Sequence, residues 1–156
     1  MSLAALRKRV TGQCVLLDTS VLIAYLNATD PVHAPATMLI DELLRAGFMR
    51  AVVSAVSVME LLVVPYRVSE RDAQAIHDFI TNWPNLTVGT IDLYVAKEAA
   101  QLRARHSLKA PDALIVATGR IARVDQILTN DRAWKAKLAS QKSAFAITLL
   151  SDFLDH

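Results

Sequence analysis

The chain has 156 residues, of which 53% are hydrophobic and 21% charged, and this composition excludes disordered, collagen-like and low-complexity proteins. Its length is typical of one domain, and its single cysteine, Cys14, excludes a cysteine-rich zinc module and favours a reducing, cytoplasmic location. The net charge is only +2, and no apolar run approaches the ~20 residues of a membrane-spanning helix, so we expect no membrane segment.

Short apolar runs alternate with helical patterns in the first half of the chain. Residues 1–12 are set apart as an N-terminal tail, whose first three residues are compatible with a cloning remnant, and a single domain is placed at 13–156. A hydroxyl at Ser69 and an acid three residues later form a capping-box pattern. The expected elements are strands over 14–18 and 51–54, and helices over 19–27, 36–44, 56–64 (ended by Pro65) and 73–83 (closed by Pro84).

The second half continues the same alternation. Asp92 opens a long amphipathic helix to about residue 106, and Pro111 suits the first turn of the next helix. Strands that alternate with helices predict an α/β fold, in which a parallel sheet lies between two helical layers. Ligand sites in such sheets lie beyond the carboxyl ends of the strands, so acids that follow strands are candidates for function. The remaining elements are strands over 86–91, 126–129 and 144–150, and a short helix over 131–139.

Positive charge is concentrated in one segment. Residues 97–142 hold ten Lys or Arg and four acids, whereas the rest of the chain holds seven basic and eleven acidic residues. A basic segment suits a phosphate-bearing partner such as a nucleic acid, although solvated helix faces are the simpler explanation of the charge alone.

Four acids stand in notable positions, and each also has a structural explanation. Asp18 and Asp131 follow strands, where a carboxylate can cap the next helix. Asp112 lies in the first turn of a helix, a position that the helix dipole favours, but the apolar residues after it indicate a buried helix. Glu60 is the only charge in the run 56–64, and a buried carboxylate needs either a partner such as arginine or a cleft that opens to solvent.

Taken together, the four acids predict one acidic site. Carboxylates that converge repel one another unless a hard cation neutralises them, and ligation by oxygen alone favours Mg²⁺ or Mn²⁺. Such a cation can activate a water molecule and stabilise a phosphoryl transition state. The histidines at 33, 77, 106 and 156 show no metal-ligand spacing, and ordinary solvent exposure explains each of them.

Four segments resemble the successive motifs of the PIN domain family and, more narrowly, of the VapC-type toxins of bacterial toxin–antitoxin pairs. They are VLLDTSVLIAYL at 15–26, SAVSVMEL at 54–61, PDALIVAT at 111–118 and LTND at 128–131. The resemblance extends over about residues 14–150, and the motifs occur in the order that the family has.

The resemblance implies a PIN-like three-layer sandwich, with a short central parallel sheet flanked by helices, and a Mg²⁺- or Mn²⁺-dependent endoribonuclease that hydrolyses RNA phosphodiester bonds. Thr129 and Asn130 would be supporting polar residues beside the last acid. Asp18 and Asp112 would be the most direct metal ligands. The catalytic, metal-binding set would be Asp18, Glu60, Asp112 and Asp131.

The resemblance also implies an antitoxin protein as partner, held in an apolar groove with a basic side chain directed at the acids, and a homodimer. Helix faces around 21–26, 38–44 and 61–64 are candidates for the groove, and Ile76, Phe79 and Ile80 are candidates for the dimer contact. Core packing is the alternative for both sets. The residues expected to contact RNA, which bracket Asp112 in the sequence, are Arg103, Arg105, Lys109, Arg120 and Arg123.

Other function classes fit the sequence less well. A haloacid-dehalogenase-type phosphatase needs a second Asp where Ser20 stands. A phosphoacceptor receiver domain needs an additional acidic pair and a late Lys, and neither is evident. Two alternatives stay open: a PIN-like housekeeping RNA-processing nuclease and a non-catalytic α/β interaction module.

Overall fold

The computed structural model describes residues 2–141 and 144–154. Its strands are β1 Cys14–Leu17, β2 Arg50–Ser54, β3 Leu86–Gly89, β4 Gln126–Thr129 and β5 Ala146–Leu149. They form one sheet in the order β3-β2-β1-β4-β5, and each strand is parallel to its neighbours. The parallel sheet confirms the predicted α/β fold.

Helices flank the sheet on both faces. They are α1 Leu3–Val10, α2 Thr19–Leu26, α3 His33–Thr37, α4 Ala55–Val68, α5 Glu70–Asn82, α6 Leu93–His106, α7 Ala110–Ile121 and α8 Arg132–Lys137. Helix α3 continues directly into a π-helical segment, Met38–Leu44, and two short 3₁₀ turns cover Ala139–Gln141 and Leu150–Phe153. Within residues 2–141 and 144–154, no helix is both long and apolar enough to cross a membrane.

The sheet separates two apolar cores. Successive residues of a strand point to opposite faces, so Val15 and Leu17 of β1 lie in one core and Leu16 lies in the other. The first core also contains side chains of α1, α2 and the π-helical segment, and the second contains side chains of α6, α7 and α8. Because β1 is covered on both faces, the residue that follows it is held in a fixed place.

The strand order produces a crevice between β1 and β4. The next strand along the chain, β2, pairs with one side of β1, whereas β4 pairs with the other side. In sheets of this kind, connections that leave neighbouring strands in opposite directions open a gap at the carboxyl ends, where ligands bind. Asp18 and Asp131 follow these two strand ends closely.

Helix α4 continues past Pro65 to Val68, which corrects the boundary predicted from the sequence. Proline removes one helical hydrogen bond, but the Pro65 carbonyl still accepts the Ser69 amide at 2.8 Å. Ser69 also begins α5, because its hydroxyl accepts the amide of Asp72 as the capping-box pattern predicts. The shared boundary residue and the packing of α5 against α4 keep the last turn of α4 helical.

Residues 3–10 lie in the predicted N-terminal tail, yet they form a helix that packs on the domain. Leu6 and Val10 are fully buried in the first core, and the side-chain amide of Gln126 donates to the carbonyl of Arg9 at 3.2 Å. Only two residues of this charged helix are buried, which is too few to produce a clear amphipathic pattern. The folded unit therefore includes α1.

Smaller boundary differences occur elsewhere. Strand β3 ends at Gly89 instead of residue 91, and β5 begins at Ala146 instead of residue 144. Helix α5 begins three residues before the predicted start, at Glu70, and α8 covers only Arg132–Lys137.

The apolar stripe of α5 faces the core. Ile80 is fully buried, and Ile76 and Phe79 pack against the same core. The ring of Phe79 lies 5.3 Å from that of Tyr25 and 5.0 Å from that of Trp83, measured between centroids. Core packing, the alternative considered for this stripe, is therefore correct, and the stripe is no candidate for a dimer contact.

Candidate active site

The four acids line one cleft at the carboxyl ends of β1 and β4. The cleft has a volume of about 520 Å³. Asp18 follows β1, Asp131 follows β4 after one residue, Glu60 lies on α4, and Asp112 lies in the first turn of α7. The structure therefore brings together four acids that are up to 113 positions apart in the sequence.

Asp18 does not cap a helix, although it occupies the residue before α2. Its side chain is almost fully buried, and Oδ2 accepts hydrogen bonds from the hydroxyls of Ser20 at 2.6 Å and Thr129 at 2.8 Å. Oδ1 has no hydrogen-bond partner among the residues that the structure describes. Two short side chains thus fix the orientation of this carboxylate, which capping does not explain.

Asp131 does cap a helix. Its Oδ1 accepts the amide of Ala133 at 2.8 Å at the start of α8, and its own amide donates to the Thr129 hydroxyl at 3.0 Å. The structural explanation for this acid is therefore correct, and its charge faces the cleft as well. Thr129, the supporting residue expected from the sequence, connects Asp18 with Asp131.

Glu60 has no arginine partner. It accepts a hydrogen bond from the hydroxyl of Thr19, and the ion pairs within residues 2–141 and 144–154 include none of the four acids. The buried salt bridge considered for Glu60 is therefore absent from this part of the chain. Its carboxylate opens instead into the acidic cleft.

The pKa of the Asp112 carboxyl is raised above its ordinary value. Burial is the largest cause, and the charges of Asp131, Asp18 and Glu60 add to it, whereas the ammonium group of Lys109 acts in the opposite direction. The ionised form of Asp112 is thus disfavoured by its surroundings. The cleft concentrates negative charge that the described side chains do not neutralise.

This pKa shift predicts how the stability of the metal-free protein depends on pH. An acid whose pKa is raised by folding stabilises the fold below its unfolded pKa of about 4, and that contribution disappears as the pH rises through the folded pKa. Asp112→Asn removes the contribution. Melting temperatures of both proteins are measured in chelator between acid and neutral pH. The difference, variant minus unsubstituted protein, should increase as the pH rises. A difference that stays constant or decreases contradicts this interpretation of Asp112.

Ser20 and Thr19 contact the acids of the site, although their sequence positions fit helix capping equally well. Ser20 donates to Asp18 and accepts the backbone amide of Asn130 at 3.0 Å, which connects the ends of β1 and β4. Their position directly after Asp18 was the available signal. Asn130 supports this connection mainly through its backbone, and its buried Oδ1 has no hydrogen-bond partner among the described atoms.

The five basic residues predicted to contact RNA do not surround Asp112. Lys109 lies beside it, just before α7, and Arg105 is exposed in the last turn of α6. Arg103 donates to the carbonyl of Leu108 at 3.3 Å and so holds the α6–α7 loop. Eight residues of helix, about 12 Å, separate Asp112 from Arg120, which pairs with Glu98 at 2.8 Å.

Arg120 and Arg123 instead line a second cavity, of about 490 Å³, with residues that precede β4 and β5. This cavity lies at the amino ends of the strands, opposite the acidic cleft. These two arginines, which bracket Asp112 in the sequence together with the other three, therefore lie away from the acidic cleft. The contacts with RNA themselves stay a prediction.

The acidic cleft has the donor chemistry for a hard divalent cation but no tightly closed ligand cluster. Among residues 2–141 and 144–154, no three His, Cys, Asp or Glu side chains stand close enough to form a ready metal site. Mg²⁺ is commonly held by one or two carboxylates and keeps several waters, so an open set of carboxylates fits this ion. The mutual repulsion at Asp112 is a second observation that a bound cation would relieve.

An apolar groove adjoins the acidic cleft. It has a volume of about 310 Å³ and shares Ile23, Glu60 and Val64 with the cleft. Leu26 and Val64 are 44% and 63% exposed, so the groove presents contiguous apolar surface of the kind that a partner can cover. The predicted groove segments 21–26 and 61–64 thus contribute to it in part, whereas the side chains of Met38–Leu44 belong mostly to the core.

Comparisons with known proteins agree with this architecture. The solved structures of VapC20 from Mycobacterium tuberculosis, described as a toxin that cleaves the sarcin–ricin loop, and of DNA-bound VapBC from Salmonella typhimurium give TM-scores of 0.64 and 0.61. VapC20 is 21% identical in sequence, over 78% of this chain and 93% of its own. The VapBC chain is 18% identical, over 88% of this chain and 98% of its own. A chain of a toxin–antitoxin complex from Klebsiella pneumoniae gives a TM-score of 0.60, with 22% sequence identity over 86% of this chain and 96% of that one.

A comparison with curated protein sequences gives no match. The PIN domain family model, in contrast, matches residues 15–137, which extend from the second residue of β1 to the end of α8 and include all four acids of the cleft. The chain therefore belongs to the PIN domain family.

Proposed function

We propose that this protein is a metal-dependent endoribonuclease and the toxin of a toxin–antitoxin pair, and that it hydrolyses RNA phosphodiester bonds in the acidic cleft. The observation that carries the proposal is the meeting of Asp18, Glu60, Asp112 and Asp131 in one open cleft without a cationic partner in an ion pair among the described residues. The similar solved proteins, which include an RNA-cleaving toxin and toxin–antitoxin complexes, support the same function.

Asp18 and Asp112 would hold a Mg²⁺ or Mn²⁺ ion most directly, with Glu60 and Asp131 as further or water-mediated ligands. When bound, the cation supplies positive charge for the phosphoryl group and increases the acidity of water. The chain itself keeps Asp18 in one orientation through Ser20 and Thr129, so its carboxylate needs little rearrangement.

The other groups of the cleft bind, orient and accept protons. A carboxylate that is not occupied by the cation is placed to accept a proton from an attacking water molecule, as a general base does. Lys109 lies at the start of α7, where its ammonium group can bind a phosphate of the RNA. Ile115 and Trp134 form part of the apolar wall of the cleft.

The direct test is cleavage of a structured RNA, such as tRNA or a ribosomal stem-loop, by purified protein with Mg²⁺, with Mn²⁺ or with a chelator. We expect cleavage only with a divalent cation, and none from Asp18→Asn prepared in parallel. Cleavage that survives the chelator, or that is equal in the two proteins, contradicts the proposal. No cleavage of any RNA under any of these conditions favours the interaction-module alternative.

The apolar groove supports an antitoxin as the partner. An apolar peptide segment placed there reaches Glu60 directly, because Glu60 lines both the groove and the acidic cleft. A basic side chain that follows this segment would pair with the acids and exclude the cation. Co-expression with the product of the neighbouring short reading frame should therefore yield a stable complex without nuclease activity.

A homodimer is also proposed, on a surface other than the α5 stripe. Helix α4 and the start of α6 leave large apolar side chains exposed, among them Met59 at 56%, Tyr66 at 60% and Leu93 at 82%. Their burial in a second copy would remove this surface from water. Light scattering at micromolar concentration should give twice the 17.1 kDa of one chain, and a mass of one chain excludes the dimer.

The positions of the basic residues predict which of them affect binding to RNA. Replacing Arg105 and Lys109 together with Gln should weaken binding and flatten its salt dependence, by ~0.7 in slope for each phosphate of a single strand that the protein no longer neutralises. Arg123→Gln is the matched control, because Arg123 lies at the opposite end of the sheet. Equal salt slopes for the double variant and the control assign Arg105 and Lys109 to a solvated face instead.

A further inference from the structure

We propose that Thr19 is a positioning residue for Glu60, a role that rests on the proposed function of the acidic cleft. Thr19 is the first residue of α2 and directly follows Asp18. Its hydroxyl lies 2.5 Å from a carboxylate oxygen of Glu60 and 2.9 Å from the hydroxyl of Ser57, both on α4. One buried hydroxyl, next to Asp18 in the chain, thus connects the start of α2 with the helix that carries Glu60.

Helix capping does not explain this hydroxyl. Its hydrogen-bond partners among the described residues are both side chains of α4, and none is a backbone group of α2. Thr19 is only 6% exposed and Ser57 is fully buried, so water cannot readily replace these contacts. The side chain is therefore used for a contact between helices.

The contact restricts a carboxylate that would otherwise be free. A glutamate side chain has several rotatable bonds, and residues 58, 59, 61 and 62 beside Glu60 are all apolar and offer it no hydrogen bond. Ser57 and Glu60 lie one turn apart on the same face of α4. Rotation about χ1 of the β-branched Thr19 side chain is restricted, so the hydroxyl holds Glu60 at a fixed position relative to the end of β1.

The direction of the hydrogen bonds follows from the number of protons. An ionised carboxylate only accepts, so the single hydroxyl proton of Thr19 is donated to Glu60. The contact with Ser57 is then made by donation from the Ser57 hydroxyl, which polarises the Thr19 hydroxyl and strengthens its bond to Glu60. The hydrogen bond thereby fixes the position of the Glu60 carboxylate relative to that of Asp18.

The test compares Thr19→Val, which removes the hydroxyl but keeps the branched shape, with Thr19→Ser, which keeps the hydroxyl. The matched control is Thr118→Val, because Thr118 is another buried hydroxyl, bonded to Ser54, that does not line the cleft. The dissociation constant of Mn²⁺ is measured without RNA, from the electron paramagnetic resonance signal of the free ion. Values of kcat and KM for RNA cleavage are measured on the same preparations.

Thr19→Val should lower kcat, and should weaken Mn²⁺ binding, by ~10-fold or more, which is usual when a residue that orients a metal ligand is removed. KM should change little, and Thr19→Ser should recover most of both losses. The proposal is overturned if Thr19→Val matches the unsubstituted protein, if Thr19→Ser is impaired as much, or if Thr118→Val is impaired as much. An unsubstituted protein that neither binds Mn²⁺ nor cleaves RNA overturns the proposed function itself, and the role of Thr19 with it.

Discussion

Asp112→Asn is expected to abolish the stabilisation by Mn²⁺ and to reduce RNA cleavage by several orders of magnitude, while the metal-free protein stays at least as stable. The substitution keeps the shape of the side chain and removes a charge that burial and three neighbouring acids disfavour. In the unsubstituted protein, Mn²⁺ at ten times its Kd should stabilise the fold by about 1.4 kcal/mol. For a domain of this size that is a rise of ~3–6 °C in melting temperature.

Melting curves with Mn²⁺ and with chelator, measured beside cleavage rates, distinguish metal binding by Asp112 from a purely structural role. The matched control is Asp92→Asn, because Asp92 lies at the start of α6 outside the cleft and Asn is also a good cap. The control variant should keep both the rise in melting temperature with Mn²⁺ and the cleavage activity. If Asp112 served only the dipole of α7, Asp112→Asn would lower the stability of the metal-free protein and leave cleavage intact.

Leu26→Lys is expected to weaken binding of the antitoxin by at least ~30-fold, which corresponds to about 2 kcal/mol, without reducing the cleavage activity of the free protein. Leu26 lines the apolar groove but not the acidic cleft. It is the last residue of α2, where a positive charge is compatible with the helix dipole. The weaker binding should therefore come from an unpaired charge at an apolar contact and not from misfolding.

Val68→Lys is the matched control for this change. Val68 is an exposed apolar residue at the end of α4 that lines neither the groove nor the acidic cleft. Calorimetric titration of both variants with the co-expressed partner, after separation, should show weaker binding for Leu26→Lys alone. Equal affinities for the two variants would show that the antitoxin binds elsewhere.

The elements and the acidic site could be predicted because their signals are local. Short apolar runs indicated the strands, helical spacing indicated the helices, and the motifs around Asp18, Glu60 and Asp112 indicated the site. The sequence does not decide a residue's role where the same local signal fits two roles. Asp18 and Asp131 both follow a strand and precede a helix, but only Asp131 makes the capping hydrogen bond.

The order of residues along the chain does not indicate which side chains meet in the folded protein. Arg120 is near Asp112 in the sequence, but a helix places them about 12 Å apart, and Arg120 pairs with Glu98. The hydroxyl of Thr19 finds its partners on α4, 38 and 41 residues away, and no local pattern indicates such a contact. Helix α1 was missed because only two of its residues, Leu6 and Val10, are buried.

The central claim is that the carboxylates of the cleft together bind a divalent cation. Anomalous scattering from crystals soaked with Mn²⁺ tests this claim most directly, because it locates the ion without reference to activity. We expect a peak in the cleft with carboxylate oxygens of Asp18 and Asp112 at about 2.0–2.2 Å, close to the distances that Mg²⁺ adopts. A cleft without a peak at saturating Mn²⁺, or a peak held only by residues outside the cleft, would contradict the claim.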